Sequence, residues 1–191
     1  WTWQTQTETI QRMRLYNSWM PHIHVDYHEQ YINEPYYFAP AAKPYHLQIT
    51  SWQREFQKII GKNHSRYFNK NNWLYFTKEH FDLLYPGYGD TYPIYNGAIG
   101  MTYEKAGGAA GGISAVTSDG DTLTLHSRIK HHHTTGLSTV ESAYKHKDRI
   151  IKEFRYFFTQ GIDNPVSKYK SFVIKVGLND PKREDLLSWL D

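Results

Sequence analysis

The chain has no cysteine among its 191 residues. That excludes disulfides and thiolate metal sites, and it leaves His, Asp and Glu as the side chains able to hold a metal. It also has no apolar run approaching the roughly 20 residues a membrane-spanning helix needs. Charge of one sign is scarce as well: the formal net charge is +3 and the basic residues form no block. So small and scattered an excess gives no argument for nucleic acid as a partner. No charged-then-apolar leader follows Trp1, so no signal peptide is visible, and the chain is expected to be a processed product or a fragment.

What the sequence does have is aromatic side chains, 16% of all residues and 16 of them Tyr. Such a composition suits an aromatic-lined cleft, and a large aromatic core gives the same count. Hydrophobic residues at 39% and charged residues at 21% describe a globular chain rather than a disordered one. The length suits one domain with a sizeable core and a short appendage.

Thr5-x-x-Glu8 has the pattern of a capping box, and Ile10, Met13, Leu15, Trp19 and Met20 behind it predict a helix that Pro21 stops. His22 to His28 alternates and reads as a strand, and Glu34 to Pro40 reads as loop. Ile49, Trp52, Phe56 and Ile59 mark a second helix, and Lys78 to Leu84 a short third one. Tyr85 to Gly97 is rich in Pro, Gly, Tyr and Asp and reads as ordered loop. Ala98 to Tyr103 predicts a strand that ends at Glu104, followed by a flexible glycine-rich loop over 106–112. Ser118 to Asp121 is a turn, and Thr122 to about Phe158 has helical periodicity that Gly136 breaks or weakens. Residues 161–170 read as a linker. Ser171 to Val176 reads as a strand, and Asp180 caps a helix begun by Pro181; this last unit looks like the start of another domain.

Strands alternating with helices argue for an α/β sheet, whose ligands sit beyond the carboxyl ends of the strands. Two segments end there in chemically capable residues. In Asp26-Tyr-His28-Glu29 a histidine at a strand end follows a carboxylate two residues earlier, which suits a metal ligand oriented from behind. A hydrogen-bonded structural histidine is the commoner occupant of such a place. Glu104 ends an apolar strand, where a carboxylate near a cleft can act as a general base, and where an ordinary solvent-facing glutamate is the simpler reading. His131-His-His133 sits on a predicted helix, where consecutive side chains diverge, so it reads as structural or solvated. His22 and His24 read as structural in the same way. The glycines of 107–112 lack the Gly-Lys-Ser/Thr ending of a phosphate loop, and Asn63-His-Ser65 matches a glycosylation acceptor by a pattern frequent by chance.

Taken in order, these segments resemble the second half of the carboxypeptidase A-like zinc metallocarboxypeptidases, most nearly the large bacterial members. Val25 to Glu29 resembles the family's strand bearing the third zinc ligand, and Tyr36 to Pro40 the segment after it. Tyr85-Pro-Gly-Tyr-Gly-Asp-Thr-Tyr92 is similar to the mobile tyrosine loop, and Tyr95 to Glu104 to the strand ending in the catalytic glutamate. The resemblance covers about residues 1 to 160. It implies the C-terminal part of a mixed eight-stranded sheet flanked by helices, truncated at its N-terminus, with 161–191 as linker and first strand–helix unit of a following domain.

By that resemblance His28 would bind zinc and Glu104 would be the general base, then the proton donor to the leaving amine. Tyr85 would close over the substrate, with Tyr88 as second choice because the loop lengths do not match cleanly. The substrate would be a peptide C-terminus, and the compartment periplasmic or extracellular. The departures are large. No His-x-x-Glu precedes His28, and the Asn-Arg pair that binds the substrate carboxylate and the oxyanion-stabilising arginine are missing. The partner implied is therefore the missing N-terminal half of the catalytic domain. The chain alone is expected to bind zinc weakly or not at all and to be inactive. Three other readings stand beside this one: a deacylase on the same fold, a non-catalytic peptide- or carbohydrate-binding module with Glu104 in solvent far from His28, and an amidohydrolase using His22 and His24.

Overall fold

The alternation read at two places in the sequence builds the centre of the protein. The computed structural model describes residues 1, 4–108 and 112–163, with the single positions 171, 173, 175, 177, 183, 184 and 187. The expected strand over 171–176 and the helix from 181 lie largely outside the described residues. Two compact units are present, Trp1–Phe158 and Thr159–Asp191.

The elements run α1 (Thr7–Trp19), β1 (Ile23–Gln30), β2 (Tyr36–Tyr37), β3 (Ala42–Tyr45), α2 (Ser51–Lys70), β4 (Tyr75–Phe76), β5 (Asp82–Leu83), α3 (Thr91–Tyr95), β6 (Ile99–Ala106), β7 (Ser114–Val116), β8 (Thr122–Thr124) and α4 (Leu125–Asp163). Among the described residues the main sheet has four strands in the order β1-β6-β2-β4. It is mixed: β1 runs parallel to β6, β2 antiparallel to β6, and β2 parallel to β4. The protein is thus α/β, a mixed sheet flanked by helices.

Side chains on a strand alternate between its two faces. On β6, Ile99, Met101 and Tyr103 face one way, into a core with Phe56, Ile60 and Phe68 of α2, Ile150 of α4, and Tyr36 and Phe38. On β1 the same face carries Ile23 and Val25 against that core, while Tyr27 meets Tyr103 and His132 edge-on. The even-numbered residues of both strands therefore turn to the opposite face, where His24 meets Tyr16 of α1 and Gly100 lies against the start of α3.

α2 is held to the start of β6 by polar side chains as well as by this core. Thr50 and Gln53 form a reciprocal capping box at its N-terminus. Gln53 Nε2 donates to the carbonyls of Ile94 and Ala98, and Gln57 Nε2 to that of Gly100. Deeper in, His64 is fully buried with both ring nitrogens satisfied, Nδ1 with Ser138 Oγ at 2.8 Å and Nε2 with the Tyr103 hydroxyl at 2.8 Å. Burial pushes its pKa down to about 3, so the ring is neutral. Ser138 Oγ also accepts from Asn63 Nδ2. Ser138→Ala should therefore cost about 1–3 kcal/mol, the range for leaving buried polar groups short of a partner. Urea unfolding measures it, and an unchanged midpoint would contradict the account.

Several expectations need correction. The capping box at Thr5 does not form: α1 has Gln6 as its N-cap with no side-chain cap bond, so Thr5 lies one residue too far upstream. Its stripe is not buried as a unit either. Met13 is buried, but Leu15 and Trp19 are exposed, sitting roughly 200–240° around the helix from it. The segment at Glu34 to Pro40 contains β2, not loop alone. Lys78 to Leu84 is not a helix; Lys78 and Phe81 have φ of 67° and 48°, which breaks helical geometry, and Asp82–Leu83 pairs with β3. Within Tyr85 to Gly97 lies the short helix α3. Thr122–Thr124 is strand, in a hairpin with β7 around the expected Ser118–Asp121 turn, so α4 starts at Leu125. That helix runs through Gly136 and departs from helical dihedrals at His146 instead.

Candidate active site at the tips of two parallel strands

Parallel pairing of β1 with β6 sets His28 opposite Glu104, and Asp26 opposite Thr102. All four are even-numbered, so all four turn to the face away from the α2 and α4 core. They line one cleft of about 690 Å³, together with Trp1, Arg12, Phe81, Asp82, Tyr88 and Asp90 among others. The two strand ends singled out by sequence are thus neighbours with a shared opening.

His28 is held by its own strand. Its Nε2 lies 2.9 Å from Asp26 Oδ2, while the side chain remains 52% exposed. Gly89 makes room for this pair, since a Cβ at that position would overlap the Asp26 carboxylate. Burial alone would lower the His28 pKa, but the hydrogen bond and charge of Asp26, with the charges of Glu104 and Asp90, raise it overall.

Glu104 is only 6% exposed. Burial first, then the negative charges of Asp26 and Asp90, push its carboxyl up to about 7, against the opposing pull of His28. It takes no hydrogen bond among the described residues. Asp90 is pushed up to about 6, by burial first and by Asp26 among lesser causes, against hydrogen bonds from Thr102 and from backbone amides. Phe81, at φ 48°, stacks on Tyr37 with ring centres 4.5 Å apart. It shares with Glu104 the wall between this cleft and a second one of about 890 Å³, lined also by Glu29, Tyr31, Ile32 and His80.

No family model, no curated protein and no solved structure matches this chain. The reading of the cleft therefore rests on its geometry.

Of the two tyrosines expected over the substrate, Tyr88 lines the cleft and Tyr85 is not among its lining residues. Thr91 fixes this: its hydroxyl donates to the Tyr85 carbonyl at 2.6 Å and accepts from the Tyr88 amide at 3.1 Å, closing the turn so that the two rings meet edge-on. His22 packs on Phe154 at the far end of β1, and His24 lies against Trp1 and Tyr16. Neither lines the cleft with His28. His131 stacks on Trp73, and His132 Nδ1 bonds the Tyr36 hydroxyl at 2.8 Å; burial foremost pushes both down to about 4. Asn63, of the glycosylation pattern, spends its amide on Ser138 and Glu141.

Sequence reasoning missed Asp90, Thr102 and Arg12. Thr102 was within reach of it, being one period of two before Glu104 on the same strand. Asp90 and Arg12 come to the cleft by contacts far apart in sequence.

The displaced Glu104 carboxyl has a consequence for stability. Unfolded, it titrates near 4.5, and folded near 7. Between those values the folded protein keeps a proton that the unfolded chain has released. Glu104 therefore favours the fold most below about 4.5, loses that contribution as pH rises to about 7, and changes little above. Stability of the unaltered protein relative to Glu104→Gln should fall between about pH 5 and about pH 8 in urea titrations. An identical difference at both would contradict the displacement.

Proposed function

We propose that this chain is part of a zinc-dependent metallocarboxypeptidase, hydrolysing peptide bonds near a C-terminus, with Glu104 as general base. The observation carrying this is the parallel register that puts the His28 imidazole and the buried Glu104 carboxylate on one wall of one cleft. The eight-stranded sheet of that family and an exported location belong to the same proposal.

The donor set fits zinc in part. Asp26 occupies Nε2 of His28, leaving Nδ1 as the free donor, which is how imidazole ligands are commonly supported. Among the described residues no three His, Asp or Glu side chains converge on a metal position. His28 therefore fits as one ligand, and the proposal places the others in sequence preceding this chain. Zinc, when bound, polarises the scissile carbonyl and acidifies the attacking water.

The chain's own residues do the rest. Glu104, with a pKa near operating pH, accepts a proton from the attacking water and returns it to the leaving amine. Asp26 holds the His28 ring in orientation. Tyr88, more than half exposed on its loop, covers the substrate in the cleft. The wall that Glu104 forms between two clefts lets a chain extend to either side of the bond being cut. A binding module without chemistry required Glu104 in solvent and far from His28, and neither feature supports it. The deciding experiment is chelator-sensitive release of a C-terminal residue by the complete enzyme, abolished by Glu104→Gln.

A further inference from the structure

The other face of β6 carries a charged residue that the cleft does not use. Lys105 is odd-numbered, so it turns to the side of α4, as Tyr103 does in bonding Thr139. It is only 7% exposed. Its partner across the strand pair is Glu29, the carboxylate placed to neutralise it. That carboxylate goes elsewhere: Glu29 Oε1 lies 3.0 Å from Nε of Arg128, which is itself buried. Among the described residues no carboxylate comes within ion-pair distance of the Lys105 ammonium. Burial first, then the Arg128 charge, push its pKa down from the ordinary lysine value.

Two more polar groups are left over beside it. Arg128 Nε, although close to Glu29, is out of line with it, buried and without a hydrogen bond, and His131 Nδ1 is buried and unbonded in the same way. The charge of Lys105 reaches His131 and His132 and helps to push both down to about 4, burial being the larger cause. Both rings are therefore neutral, and a neutral imidazole can carry its proton on Nδ1 as a donor. Two cations and one carboxylate leave a single positive charge unmatched. The first turn of α4 has no acidic residue to offset it, and the helix dipole adds to the positive side. A buried cation and buried unmade hydrogen bonds both cost stability, and one anion relieves both.

We propose that Lys105, Arg128 and His131 hold one small monovalent inorganic anion, of the size and charge of chloride, between the end of β6 and the start of α4. One charge is what the balance asks for, and a spherical ion accepts hydrogen bonds from a strand and a helix at once. The ion ties α4 to the strand end that bears Glu104. The site does not depend on the hydrolase reading.

The test is urea unfolding of this chain as sodium chloride replaces sodium gluconate at constant ionic strength, with the chloride NMR linewidth as a direct readout of binding. Chloride should raise the midpoint along a saturating curve, as a ligand of the folded state does. Lys105→Met should abolish both the rise and the line broadening. In gluconate that variant should unfold at a higher midpoint than the unaltered protein, because methionine fills the space without an unmatched charge. Glu29→Gln removes the competing carboxylate and should tighten chloride binding about tenfold, which keeps the test sound should the Lys105 variant fail to fold. The same midpoint in both salts, a chloride effect that survives Lys105→Met, or weaker chloride binding in Glu29→Gln overturns the proposal. So does a lower midpoint of Lys105→Met in gluconate, which would mean that Lys105 already has a partner within the chain.

Discussion

On the proposed peptidase reading, Glu104→Gln should lower the rate of C-terminal residue release by about 10²–10⁴-fold, the usual worth of a positioned general base. Glutamine matches glutamate in size and keeps a carbonyl oxygen at the strand tip, so the β1–β6 register and the cleft persist. What is lost is a group that can take a proton. The fall should be in kcat and kcat/KM together, since the proton moves in the transition state and not on binding. Metal content should be unchanged, because the proposed role makes Glu104 the base beside His28 and not a ligand. Two results would refuse this role. A rate within a few-fold of the original makes Glu104 a structural carboxyl. A rate loss in step with loss of zinc makes it a ligand.

How far the sequence led depends on the length of each element. β1 and β6 have 8 residues each, long enough for a period of two to show, and both ended in the polar residues that reach the cleft. β2, β4 and β5 have 2 residues each, which is too short for any period, so one was read as loop and another as helix. α2 was found from its apolar side chains alone, although Thr50 and Gln53 carry the signature of the cap that forms. At the site, His28 and Glu104 were legible as polar residues near the carboxyl ends of alternating segments, although both strands run two residues past the ends expected there, to Gln30 and Ala106. Their adjacency was expected from the family resemblance and not from any local pattern, because 76 positions separate them and only the pairing of β1 with β6 brings them together. The turn that carries Tyr85 and Tyr88 was read only as ordered loop, and the Thr91 hydroxyl that ties their backbones together leaves no periodic signal. Asp90 was invisible for a related reason: its place depends on a glycine ten residues later.

That glycine yields the last expected result. Gly100 lies on the cleft-facing side of β6, two positions before Thr102 and four before Glu104. A Cβ there would overlap the Asp90 carbonyl oxygen and come within about 3 Å of both the Asp90 carbonyl carbon and Ile94. The obstacle is backbone at the start of α3, and backbone cannot rotate aside as a side chain can. α3 is itself buried through Thr91, Pro93 and Ile94, so it cannot lift away without opening that packing. Gly100→Ala should thus cost about 3 kcal/mol or more, at or above the top of the usual range for overfilling a packed interior. The damage should be local to the cleft as well as global. Moving the Asp90 backbone withdraws the Thr102–Asp90 hydrogen bond and releases the turn that carries Tyr88, so the cleft wall should shift even where the variant is still folded. Urea unfolding and the NMR shifts of the Tyr88 and Thr102 amides, read on one sample, separate the two effects. Full stability with unchanged amide shifts would mean that the loop carrying Asp90 does not rest on this strand.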